Sequence, residues 1–212
     1  MSKCPLCRNS KISQCFEDKS RAYYLCDTCK LIFVPENSLL NLKEEREIYD
    51  LHENDPSDPR YREFMERMLT PLRKYISGEG LDFGCGPGPV VAPILKEEGI
   101  EVSNYDPIFF PDNSLLEKRY QFVVATEVIE HIYESKEGFE QMLSVLAPYG
   151  GLGIMTSFYP DDINKFKNWG YMRDPTHVRF FSQKTFEWMA NKYQLELEIP
   201  SRNVVIFKKG NS

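Results

Sequence analysis

Leu81-Asp82-Phe83-Gly84-Cys85-Gly86-Pro87-Gly88-Pro89 is the stretch that decides the fold. Residues 80 to 83 read as a short strand, the glycines as a tight loop, and Pro89 as the first turn of a helix that runs to Glu98 and stops at Gly99. A loop of this kind, between a strand and a helix, is where an open α/β sheet binds its ligand, because glycine lets the backbone come close. A dinucleotide fingerprint would read G-x-G-x-x-G. Here glycines stand at 84, 86 and 88, and Pro89 takes the third expected place.

Beyond the loop, candidate strands at 101–105, 121–126, 151–156, 195–199 and 204–208 alternate with helical stretches, the pattern of a mostly parallel sheet. Tyr105-Asp106 closes the first of these strands about 20 residues past the loop, the spacing that one helix plus one strand requires. A carboxylate there can accept hydrogen bonds from both hydroxyls of a ribose. Only 14 residues lie between Asp106 and Gln121, so any further helix and strand must be abbreviated.

Asp82 followed by Gly84, Gly86 and Gly88 resembles motif I of class I methyltransferases, [D/E]-x-G-x-G-x-G, and the resemblance covers residues 79 to 209. It implies an α/β fold with a Rossmann-like, mostly parallel sheet whose last strand is antiparallel, and S-adenosylmethionine (SAM) as cofactor. By the same resemblance Asp82, Gly84, Cys85, Gly86 and Gly88 hold the methionine end, Asp106 the ribose, and Pro107 and Ile108 the adenine, with Thr126 a further cofactor contact.

The segment Gln121-Phe-Val-Val-Ala-Thr-Glu-Val-Ile-Glu-His131 runs from a strand toward the acceptor side. A helix beginning near Thr126 would put Glu127, Glu130 and His131 on one face. Their E-x-x-E-H pattern resembles that of ubiquinone-pathway O-methyltransferases and small-RNA 2′-O-methyltransferases, where these side chains contribute to a divalent metal site. His177, in Arg173-Asp-Pro-Thr-His-Val-Arg-Phe-Phe-Ser182, resembles the downstream histidine of the small-RNA enzymes. Such ligands suit a cation that lowers the pKa of an attacking oxygen, which points to O-methylation. The alternative is that the two glutamates complement a helix dipole while His131 packs against the cofactor. The aromatics Phe158, Tyr159, Phe166, Trp169 and Tyr171 either stack a planar substrate or fill the core.

Upstream, Cys4-Pro-Leu-Cys7 and Cys26-Asp-Thr-Cys29 match the spacing of a tetrahedral Cys4 zinc site with no open position, hence a structural one. Redox or disulfide pairing is the alternative. Residues 21–25 and 31–34 read as short strands, and so small a segment needs the metal to hold it. From 38 to 49 and from 59 to 76 the pattern is helical, with Pro71 a possible kink and 53–59 a turn-rich connector, together expected to form a mobile lid. His52 is either a base or substrate ligand on that lid or an exposed histidine. The division expected is 1–34 zinc ribbon, 35–78 helical lid and linker, and 79–212 SAM-binding domain.

With 42% hydrophobic and 27% charged residues, the 212-residue chain has the composition of a soluble globular protein, and it contains no apolar run that could span a bilayer. The start MSKCPLCRNS has no apolar export signal, so a cytoplasmic location is expected. Net charge is −6, but residues 1–34 carry six Lys/Arg against three Asp/Glu, which leaves −9 for the rest. An acidic body disfavours broad contact with nucleic acid, and a small-molecule acceptor is expected. Two rival readings stay open: an RNA- or protein-modifying methyltransferase that docks through Lys3, Arg8, Lys11, Lys19, Arg21 and Lys30, and a noncatalytic SAM-binding protein.

Overall fold

The computed structural model describes residues 3–51, 55 and 57–211. His52 and part of the 53–59 connector lie outside the described residues. In chain order the elements are β1 (Ile12–Glu17), β2 (Ala22–Cys26), β3 (Ile32–Phe33), α1 (Leu42–Tyr49), α2 (Pro59–Leu72), β4 (Gly80–Phe83), α3 (Val91–Lys96), β5 (Val102–Tyr105), β6 (Tyr120–Thr126), α4 (Ser135–Val145), β7 (Leu146–Met155), α5 (Ile163–Lys167), β8 (Arg179–Phe180), α6 (Gln183–Tyr193), β9 (Glu196–Ser201) and β10 (Val204–Lys208).

The central sheet runs β5-β4-β6-β7-β10-β9. Strands β5, β4, β6 and β7 are parallel, and β10 lies antiparallel to both of its neighbours. This is the α/β arrangement expected, with the reversed last strand. Helices cover both faces, so strand residues are buried on each side and read as near-continuous apolar runs. Along β6, Val123 and Ala125 join the core under α4 and α6, while Phe122 and Val124 join the core under α2 and α3. Each buried side chain of that size contributes about 1.5–3 kcal/mol.

The shortage of chain after Asp106 leaves no room for another strand. Asp106 makes an isolated bridge to Phe110, a 3-10 turn follows over Asn113–Glu117, and β6 begins at Tyr120, which leaves β5 as the sheet edge.

Three local expectations need correction. Helix α3 begins at Val91, with Val90 as its cap, so Pro89 precedes the helix. Residues 127 to 131 form a turn, and α4 starts only at Ser135. Helix α2 buries Met65, Met68, Leu69 and Leu72 on the central sheet. Gly151 and Gly153 of β7 let it approach, since a Cβ on either would lie about 3 Å or less from α2 or the following turn. A helix so placed belongs to the core, and the lid expectation narrows to the segment around α1. Pro71 sits near the end of α2, where the chain passes into a 3-10 turn.

The N-terminal hairpin does not stand apart. Strands β1, β2 and β3 form a second sheet whose fourth strand is β8, from the far end of the chain. Ile32 pairs with Phe180 and Phe33 with Arg179.

Candidate active site

The glycine loop and the acid that follows it meet through the backbone. Gly84 and Gly86 take φ of 75° and 65°, a region that penalises any side chain. A Cβ on Gly84 would fall 2.6 Å from a Val128 methyl, so the missing side chain also admits the 127–131 turn against the loop. The Gly86 N–H donates to Asp106 Oδ2 at 3.1 Å, and the Ile108 and Phe109 N–H groups donate to Asp106 Oδ1 at 2.8 and 3.0 Å. Asp106 is thereby fixed at the carboxyl end of β5, next to the loop. Asp82 is buried, and burial followed by the charge of Asp106 raises its carboxyl to about 7. Burial, then the charges of Asp82 and Asp106, also pushes the Cys85 thiol up.

The residues expected on the acceptor side gather from two segments. Glu127 has a φ of 52°, a left-handed conformation that costs a non-glycine residue about 1–3 kcal/mol and persists only where surroundings enforce it. Its N–H donates to Met155 O at 2.8 Å, which pins the turn to the end of β7. Glu130 has no exposed surface, and its Oε2 has no hydrogen-bond partner. The Tyr171 hydroxyl is within hydrogen-bond reach of Glu130 Oε1, of Glu127 Oε2 at 3.0 Å and of Thr156 Oγ1 at 3.1 Å. Burial, then the Glu127 charge, raises Glu130 well above the usual carboxylate range, and burial likewise raises Glu127.

His131 Nδ1 lies 3.2 Å from Thr176 O, and His177 Nδ1 lies 2.7 Å from Tyr171 O. A carbonyl can only accept, so each ring donates from Nδ1. The ring centroids are 4.7 Å apart. One ligand atom each from Glu130, His131 and His177 lie within 4.8 Å of one another. Three of the four expected residues thus converge, while Glu127 connects through Tyr171. Sequence reasoning missed Tyr171 as the bridge, having weighed it only as an aromatic; nothing in one tyrosine among 12 marks it out.

The four N-terminal cysteines form the other cluster, with ligand atoms within 4.8 Å of one another. Cys4 Sγ is 3.5 Å from Cys29 Sγ, and Cys7 Sγ is 3.4 Å from Cys26 Sγ. The two turns are near copies. Arg8 and Lys30 each follow a pair's second cysteine at φ 60°, and each donates its N–H to the first cysteine's carbonyl, at 3.0 and 2.9 Å. A hydrogen bond from Cys29 lowers Cys4 to about 5, whereas burial raises Cys7 to about 12. Four thiolates could share this buried space only around a cation.

The family model for the methyltransferase domain matches residues 55–198. The chain belongs to that family. It is a SAM-dependent methyltransferase with the class I fold, and its glycine loop, Asp106 and the 127–131 turn fall inside the matched span.

Among solved structures, the methyltransferase is similar to a SAM-dependent methyltransferase from Archaeoglobus fulgidus, at 17% identity and a TM-score of 0.51, over 70% of this chain and 94% of that one. It is also similar to magnesium protoporphyrin IX methyltransferase from Synechocystis PCC 6803 with bound SAH, at 11% identity and a TM-score of 0.51, over 80% and 96%. A third similar structure is human N-acetylserotonin methyltransferase in complex with SAM, at 9% identity and a TM-score of 0.50, over 68% and 51%. At these identities the likeness concerns the fold. No curated protein matches the sequence. No helix among the described residues is long and apolar enough to cross a membrane.

Proposed function

We propose that this methyltransferase transfers the methyl group of SAM to an oxygen of a small-molecule acceptor. The site for it is the space beside Glu127, Glu130, His131 and His177. The observation that carries this reading is the convergence of Glu130, His131 and His177 on one point, with the buried Glu130 Oε2 lacking a partner. A buried carboxylate oxygen is costly to leave unpaired, so a cation or an acceptor hydroxyl belongs there.

Bound SAM supplies an electrophilic methyl on sulfonium sulfur, so the protein has mainly to align the nucleophile and exclude water. Asp82 and the amides of Gly84, Cys85, Gly86 and Gly88 hold the methionine end. Asp106 grips the ribose with lone pairs beyond those its backbone donors use, Pro107 and Ile108 flank the adenine, and Thr126 lines the pocket at the end of β6. Glu130, His131 and His177, with Glu127 behind them, fit a divalent cation, whose chemistry would be to lower the pKa of the acceptor hydroxyl. Glu127, outside the three converging ligands and held through Tyr171, would take up the proton that the acceptor loses.

The segment around α1 acts as the lid. Tyr49 sets its ring edge-on to His131, with centroids 5.5 Å apart, and the Arg46 guanidinium lies 6.0 Å from the Phe109 ring beside Asp106. Residues 1–34 serve as a zinc ribbon and 79–212 as the SAM-binding domain; of the linking 35–78, only the part around α1 is lid, because α2 packs on the central sheet. A cytoplasmic setting goes with this reading, because four clustered thiols that hold a metal must stay reduced. Docking of RNA or protein on the ribbon has less support, because Arg8 pairs with Glu134 and Glu137 and Arg21 is buried against carbonyls.

The test is transfer of labelled methyl from SAM into fractionated metabolite extracts. Label in a small hydroxylated compound, lost with Glu130→Gln, is the expected result. Label in RNA or protein alone would contradict the proposal.

A further inference from the structure

The turn over residues 171 to 177 presents its carbonyls in two directions. Those of Tyr171 and Thr176 point inward and receive the Nδ1 hydrogens of His177 and His131. Those of Met172, Asp174 and Pro175 are all taken by one side chain from the N-terminal hairpin. Arg21 donates from Nη2 to Met172 O at 2.8 Å and to Asp174 O at 3.0 Å, and from Nη1 to Pro175 O at 2.9 Å. Its Nε donates to Tyr23 Oη at 2.9 Å, and that hydroxyl donates to Asp18 Oδ2 at 3.0 Å. The four acceptors are neutral oxygens, and Arg21 as a whole is only 9% exposed. Desolvating a cation against carbonyls is costly, and the geometry repays it only by using the fixed fork to hold several groups at once.

The hold passes directly to the histidines. Asp174 O, which accepts from Arg21, also accepts the His177 N–H at 3.2 Å. The Asp174 carboxylate accepts the Thr176 N–H at 2.8 Å and so sets the carbonyl that orients His131. From these contacts we infer that Arg21 is a positioning residue of the acceptor site: it clamps the 172–175 turn so that Tyr171 O and Thr176 O fix the tautomer and direction of His177 and His131. This rests on the reading of those histidines as the acceptor side, and it gives the hairpin a part in the site in place of a docking role. Arg21 immediately precedes β2 and Cys26 ends it, so the cysteine cluster and the histidine turn are joined through one strand.

The test uses the full-length, zinc-loaded chain and needs no methyl acceptor. The chain has three histidines, so long-range imidazole 15N spectra can be assigned. In the parent, His131 and His177 should each show an Nδ1–H tautomer. In Arg21→Ala the two signals should move toward the mixed-tautomer average, and the amides of 176 to 179 should exchange about tenfold faster or more, with SAH affinity and zinc content retained. Arg21→Lys keeps the charge, loses the fork and folds more readily; it should shift both signals in the same direction by less. A merely structural loss would lower the melting temperature and leave the imidazole signals in place. Unchanged signals in both variants while SAH still binds would overturn the clamp. Failure of the wild type to bind SAH would instead strike at the methyltransferase reading.

Discussion

The hydroxyl of Tyr171 bonds to Glu130, a carboxylate with no exposed surface and no partner for its other oxygen. Through this contact the 127–131 turn and the 171–177 turn, far apart in sequence, become one site. Tyr171→Phe removes the donor and leaves buried Glu130 facing half-buried Glu127. Urea unfolding should show a loss of about 1–3 kcal/mol, the cost of a buried acceptor left unpaired. Methyl transfer should fall with it, while SAH affinity is retained.

Gly84 is the tightest point of the cofactor loop. Gly84→Ala meets both the 75° φ and the Val128 methyls. SAH binding should drop by more than tenfold. Val128→Ala in the same chain reopens the space but leaves the backbone penalty, so binding should recover only in part. Full recovery would show that sterics alone required the glycine.

Asp82 makes a pH prediction with a definite sign. Its folded value of about 7 lies above the ordinary 3.8, so the folded chain holds that proton more tightly than the unfolded chain. Its contribution is fully present below about pH 4 and is lost as pH rises to about 7, at no more than about 1.4 kcal/mol per unit. Asp82→Asn should flatten that window in urea titrations. Binding runs the other way: the ammonium of the cofactor favours ionised Asp82, so affinity should fall as pH drops below about 7. Calorimetry in buffers of different ionisation enthalpy should detect a released proton.

Metal analysis separates the two clusters. Protein purified without chelator should carry one zinc on Cys4, Cys7, Cys26 and Cys29, and Cys26→Ser should lose it and loosen β8, which pairs with β3. A second divalent equivalent, lost in Glu130→Gln or Glu127→Ala together with turnover, is expected at the histidine site. One equivalent with undiminished turnover in those variants would remove the cation from that site.

Much of this was legible along the chain because it is local. The strand-loop-helix at 80–98 and the acid at 106 follow from spacing, and so does the missing room before β6. What could not be read is non-local. Strand β8 has two residues and exists only because β3 pairs with it, so no periodicity announces it. The apolar stripe of α2 was visible, but whether it covered a lid or a sheet depended on Gly151 and Gly153, about eighty residues away. The helix expected from Thr126 fails because Glu127 turns left-handed to bond Met155 O, a choice the tertiary structure imposes against local propensity. The roles of Tyr171 and Arg21 arise from contacts across the fold, where residue type alone says little.

Binding of SAM by the 84–88 loop and Asp106 is tested most directly by calorimetric titration of the folded, zinc-loaded chain with SAH. One site per chain is expected, with Asp106→Ala weakening affinity by about tenfold or more, as loss of hydrogen bonds to a charged group should. A folded protein that gives no binding heat and no thermal protection by SAH would contradict it.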